Sequence, residues 1–177
     1  GGTGAYTYVW SNGATTSNIS NLSVGTYTVT VKDANNCSAT KSASITQPAA
    51  LTVTQTHANV LCNGNSTGSI TLTVTGGTGP YSFVWSDGAS SQNRTNIAAG
   101  SYAVTVTDAN YCAANTAATI TQPTAIVAST TKTDVVCNGA STGSIDLTVS
   151  GGTGAYTYQW NNFQFVQDLS GVAAGIY

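Results

Sequence analysis

The chain has 177 residues, of which 6% are charged, and a formal net charge of −2. About a quarter of an average soluble protein is charged, so solubility here rests on Thr, Ser, Asn and Gly. Its four bases (Lys32, Lys41, Lys132 and Arg94) form no run that would hold a phosphate backbone, which excludes nucleic acid as a partner. No apolar run approaches the ~18 residues of a membrane span, so the chain is not expected to be membrane-embedded.

Gly1-Gly2-Thr3-Gly4-Ala5-Tyr6-Thr7-Tyr8 opens the chain and returns as Gly76-Gly77-Thr78-Gly79-Pro80-Tyr81-Ser82-Phe83. After the same step it returns again as Gly151-Gly152-Thr153-Gly154-Ala155-Tyr156-Thr157-Tyr158. Trp10, Trp85 and Trp160 keep that step, as do Cys37 and Cys112, Cys62 and Cys137, and Pro48 and Pro123. The period divides the chain into the C-terminal part of one module (1–48), a complete module (49–123) and the N-terminal part of a third (124–177). Because Tyr177 falls where Tyr27 and Tyr102 fall, the chain is expected to be a window in a longer array. Arrays span distance or multiply weak contacts more often than they house one catalytic centre.

Within the complete module, five segments read as strands: 51–56, 69–75, 81–85, 101–107 and 114–120. Ser69-Ile70-Thr71-Leu72-Thr73-Val74-Thr75 alternates hydroxyl and apolar residues, the pattern of a half-buried strand. Tyr81, Phe83 and Trp85 share one face of the next, and 101–107 alternates again. Turn signals stand between them at Asn63-Gly64, Gly76-Gly77, Asp87-Gly88, Ala99-Gly100 and Asp108-Ala109-Asn110. No segment has a 3.6-residue apolar period. The expected fold is all-β: tandem immunoglobulin-like antiparallel β-sandwich modules with a 75-residue period.

Leu22-x-x-Gly25-x-Tyr27 recurs at Ile97–Tyr102 and Val172–Tyr177, and each Tyr fits a tyrosine corner. Trp10, Trp85 and Trp160 are expected to pack between the sheets. So small a core invites a staple, and two cysteines per period supply one disulfide. Cys62–Cys112 would close a loop within the module, for about 4 kcal/mol on the chain-entropy model. The alternative, Cys37–Cys62 with Cys112–Cys137, would cross the module junctions.

Catalytic chemistry is scarce, and no catalytic, cofactor-binding or metal-ligating residue is assigned. His57 is the only histidine, and Lys132 takes its place one period on. Asp33 and Asp108 recur in Asp-Ala-Asn turns, where a hydrogen bond to backbone accounts for them. Calcium at the junctions is thinly supported, because the ion wants about six to eight oxygens and each turn offers one Asp. The Gly-Gly-Thr-Gly cluster lacks the Lys and following helix of a phosphate loop. The third module departs from the repeat at Asn161-Asn162-Phe163-Gln164-Phe165-Val166, where the others have Ser-Asn-Gly-Ala-Thr-Thr and Ser-Asp-Gly-Ala-Ser-Ser. Phe163, Phe165 and Val166 either tuck over the sandwich edge or form a contact patch.

The ordered string Cys62-Asn63-Gly64, Gly68-Ser69-Ile70, Gly76-Gly77-Thr78-Gly79-Pro80-Tyr81, Val84-Trp85-Ser86-Asp87-Gly88 resembles the SprB-type repeat. It continues with Gly100-Ser101-Tyr102, Asp108-Ala109-Asn110, Cys112 and Ile120-Thr121-Gln122-Pro123. The resemblance implies a large surface adhesin of Bacteroidota, exported by the type IX route, with gliding motility among its roles. It carries no catalytic residues. The expected function is therefore a structural and adhesive segment of an extracellular, cell-surface or secreted filament. Its expected partners are other copies of itself in a fibre, surface polysaccharide or an abiotic surface. A second reading is a carbohydrate-binding array that stacks sugars on Tyr6, Tyr8, Trp10 and their repeats.

Overall fold

The computed structural model describes residues 2–177, which hold twelve β-strands and no helix. Gly1, the first residue of the opening turn, lies outside the described residues. The chain forms two compact units, Gly1–Ala50 and Leu51–Tyr177.

In the second unit, the complete module places β4 (Thr52–Ala58), β5 (Gly68–Thr75) and β7 (Arg94–Ile97) in one antiparallel sheet. A second antiparallel sheet holds β6 (Ser82–Trp85), β8 (Gly100–Thr107) and β9 (Ala113–Ile120). The strand orders are β4-β5-β7 and β6-β8-β9. Alternation sets which residues face inward: Ile70 and Leu72 are buried while Thr71 and Thr73 are exposed, and Val104 and Val106 are buried while Ala103 and Thr105 are not. Val60, Ile70, Leu72 and Ile97 from one side meet Trp85, Val104, Val106, Ala118 and Ile120 from the other in a single core.

The β4 and β9 strands run the same way along one side of this sandwich. Gln55 Nε2 donates to the Ala117 carbonyl at 3.3 Å. Further on, Val60 N–H donates to the Thr121 carbonyl at 2.9 Å, and Thr121 N–H to Asn59 Oδ1 at 2.9 Å. The module is thus entered at the Leu51 end and left at the Thr121 end. Among the five sequence-read strands, none anticipates β7. Its four residues Arg-Thr-Asn-Ile lack alternation, and a bulge between Gly68 and Ser69 lets it join β5.

The first unit carries β1 (Thr7–Trp10), β2 (Gly25–Lys32) and β3 (Ser38–Ile45), in the order β1-β2-β3. Each begins one full period before β6, β8 and β9 respectively. The last part of the second unit carries β10 (Val127–Thr133), β11 (Gly143–Ser150) and β12 (Leu169–Val172), in the order β10-β11-β12. These begin one full period after β4, β5 and β7. Residues 157–160, one period after β6, form no strand.

Candidate functional site

The recurring hydrogen bonds locate the positions that every repeat keeps. Trp10, Trp85 and Trp160 donate Nε1–H to the carbonyls of Thr16, Ser91 and Val166, at 2.9, 2.7 and 2.9 Å. Tyr27, Tyr102 and Tyr177 donate their hydroxyls to the carbonyls of Ser23, Ala98 and Ala173, each at 3.1 Å. Trp85 is 3% exposed, so the aromatic strand of the complete module belongs to the core. It offers no stacking platform for sugars there, and the carbohydrate-binding reading of that strand is dropped.

A second recurring unit closes the Leu51 end of the module. Asp108 Oδ1 accepts the N–H groups of Asn110 at 2.8 Å and Cys112 at 2.9 Å, while Oδ2 accepts Thr78 N–H at 2.9 Å. Asn110 Nδ2 adds a bond to Thr78 Oγ1 at 3.1 Å. The carboxylate therefore ties the Gly-Gly-Thr-Gly turn to the β8–β9 turn, and the Thr78 N–H leads in holding its pKa below the usual range. Asp33 does the same with Thr3, Asn35 and Cys37. Gly77 sits so close that a Cβ would lie 2.9 Å from Asp108 Oδ2. Among the described residues, no three His, Cys, Asp or Glu side chains gather to hold a metal ion.

The cysteines do not meet within the module. Cys112 immediately precedes β9, whereas Cys62 follows Val60, which is bonded to Thr121 past the other end of β9. Eight strand residues at ~3.3 Å each separate the two ends by roughly 26 Å, and a disulfide needs Cα atoms within about 7 Å. The Cys62–Cys112 pairing is thus corrected: parallel β4 and β9 carry the two thiols to opposite ends. Cys37, Cys62, Cys112 and Cys137 are all exposed free thiols.

The third module keeps the backbone of the loop whose sequence it changes. Phe163 N–H donates to the Trp160 carbonyl at 3.0 Å, as Gly13 and Gly88 do to Trp10 and Trp85 at 2.9 Å. Phe163 takes φ +65, where Gly13 and Gly88 have +85 and +83. Its side chain is 79% exposed, with Phe165 at 69% and Val166 at 50%. None of the three tucks over the sandwich edge.

Two features escaped the sequence reading. Arg94 makes a bidentate pair with Asp87, at 2.6 and 2.7 Å, and lies 5.5 Å from the Trp85 ring centroid. Its signal was visible: Ile19 and Leu169 stand at the Arg94 position, and Asn12 and Asn162 at the Asp87 position. The loop after Val60 also grips the linker, with Asn63 Nδ2 donating to the Pro123 carbonyl and Gly64 N–H to Gln122 Oε1, both at 2.9 Å.

The family model of the SprB repeat matches residues 54–90 and 129–165, two stretches set one period apart. Both stretches are similar to the SprB repeat. Each match runs from the first strand of a repeat through the tryptophan and its turn. SprB repeats occur in cell-surface proteins. No curated protein matches the chain.

Proposed function

We propose that the chain is a non-catalytic segment of an extracellular adhesive array, built from immunoglobulin-like SprB repeats that span distance and add many weak contacts. The observation that carries this reading is the recurrence of the same strands, Trp bond, Tyr corner and Asp clamp at 75-residue intervals. Strand orders β4-β5-β7 and β6-β8-β9 support the immunoglobulin-like assignment, since strands A, B, E and C, F, G share sheets in that order.

The chemistry of the surface fits that role. Threonine and serine rows on the outer faces of β2 and β3 bond across strands, as Thr28 Oγ1 does with Ser42 Oγ at 2.8 Å. Such a hydroxyl face is neutral and makes weak, repeated contacts with polysaccharide or a mineral surface. Avidity then comes from copy number, because each tethered module raises the effective concentration of the next. Export by the type IX route and service in gliding are part of this reading.

The test is retention under flow of beads that display the chain at graded densities, on polysaccharide-coated and bare glass. Retention rises more steeply than linearly with density on at least one surface. Beads that wash off both surfaces as readily as uncoated beads would refute the adhesive role.

A further inference from the structure

The complete module carries one thiol at each end, and each lies where a neighbouring module joins. Cys112 stands at the Leu51 end. Its N–H donates to Asp108 Oδ1 while Asp108 Oδ2 accepts the Thr78 N–H, which fixes the cysteine beside the Gly76–Gly79 turn. That turn lies against the entering chain, since a Cβ on Gly77 would sit 3.1 Å from Leu51 Cδ1. The contact recurs one period on. There Gly152 N–H donates to the Thr124 carbonyl at 2.9 Å, and a Cβ on Gly152 would sit 2.7 Å from Ile126 Cγ1.

Cys62 stands at the opposite end, in a loop that Asn65 N–H closes onto the Cys62 carbonyl at 3.2 Å. This loop holds the linker to the third module, through Asn63 to the Pro123 carbonyl and Gly64 to Gln122 Oε1. Thr124, the next residue along, is the one bonded to Gly152. One short linker is therefore held both by the Cys62 loop and by the turn beside which a module's second cysteine is fixed. We infer that Cys62 forms a disulfide with the Cys112 counterpart of the module that follows, one such bond bridging each junction. The inference rests on reading the chain as a segment of an array.

The pairing accounts for four exposed free thiols in this chain. Its partners are separated by a full period plus the Cys62–Cys112 interval, and no two of the four stand so far apart. Cys112 and Cys137 do not serve instead: Cys112 precedes β9 at the Leu51 end of its module, whereas Cys137 follows β10 toward the far end of the next. The bond forms by thiol–disulfide exchange with a disulfide oxidant. One thiolate opens the oxidant to a mixed disulfide, the second thiolate displaces it, and the oxidant leaves as two thiols carrying both electrons and both protons.

The bond changes what a pull on the array can do. The shortest covalent path then runs along β4 to Cys62, crosses to the following module, and leaves along the counterpart of β9. Both strands are already extended in the folded state, at ~3.3 Å per residue. Everything between Cys62 and its partner is bypassed, so unfolding either module releases almost no length. Linked in this way, the array holds its length under load until the disulfides are reduced.

The test inserts a second copy of residues 49–123 directly after Pro123 in the full chain, which supplies one complete junction. Oxidised glutathione serves as the oxidant, and peptide mapping by mass spectrometry reads the links. The first copy's Cys62 is found joined to the inserted copy's Cys112. Cys62→Ser in the first copy abolishes that link, while Cys112→Ser in the first copy leaves it intact. Stretched between terminal handles, the reduced chain gives two unfolding events and the oxidised chain gives neither. A link between Cys62 and Cys112 of one copy, or two full events that persist after oxidation, would overturn the inference alone. A single event in the reduced chain would overturn the array reading as well.

Discussion

Asp108 reaches from the β8–β9 turn to take the backbone N–H of Thr78 at 2.9 Å, joining two turns that lie far apart in the chain. The same carboxylate takes two further N–H groups, so its loss unsatisfies three donors at once. Asp108→Ala is expected to lower the urea midpoint of the middle module, and Asp108→Asn by less, because one amide oxygen remains. The pH dependence has a definite sign. The folded-state pKa lies below the unfolded one, so the contribution is complete above the ordinary carboxylate range of about 4. It is lost as pH falls through that range toward the folded value. Urea titrations at neutral and acid pH read it directly, and Asp108→Asn flattens the difference.

The two leucines at one repeat position differ in surroundings and are expected to differ in cost. Leu72 is 3% exposed inside the complete module, while Leu147 is half-buried. Leu72→Ala is expected to cost about 2–5 kcal/mol of middle-module stability. Leu147→Ala, at the half-buried position, costs well below that. Denaturant melts followed by Trp85 fluorescence separate the two.

Gly88 and Phe163 occupy the same left-handed turn position, at φ +83 and +65. A side chain there costs about 1–2 kcal/mol, so Gly88→Ala is expected to destabilise the middle module by about that much. Phe163→Gly removes the strain from a side chain that is 79% exposed, so its loop gains stability. Hydrogen exchange at the Phe163 and Gln164 amides checks the gain. Protection that falls in the glycine variant would contradict it.

Among the described residues, Arg94 and Asp87 form the one such pair seen across the three turns, and Leu169 with Asn162 replaces it in the third. Arg94→Leu alone strands the Asp87 carboxylate and is expected to destabilise. Arg94→Leu with Asp87→Asn reproduces the pairing of the third module and recovers most of the loss. A double-mutant cycle gives the coupling, which shrinks in high salt because Asp87 is partly exposed.

Much of this fold is legible in the sequence because period-two alternation and an unbroken repeat point the same way. Strands such as 69–75 and 101–107 read cleanly from alternating Thr and aliphatic residues. The β7 strand does not, since four mixed residues paired through a bulge leave no periodic trace. Cysteine spacing misled for a topological reason: two residues per module suggest a pair, but parallel β4 and β9 hold them at opposite ends. The Asp108 clamp was legible as an Asx turn, while its reach to Thr78 depends on how distant turns converge. Arg94 was legible only as an anomaly within the repeat, because its partner lies across a loop that folding alone brings near.

The central claim is that each repeat is a folded, load-bearing module. A pull between the chain's ends would enter the complete module at Leu51 and leave at Thr121, loading β4 and β9 in shear along their shared direction. The direct measurement is single-molecule stretching of the chain between terminal handles. One sharp unfolding event is expected, releasing roughly 25 nm at ~3.5 Å per residue over the 75-residue module. A smooth extension with no such event would contradict the claim.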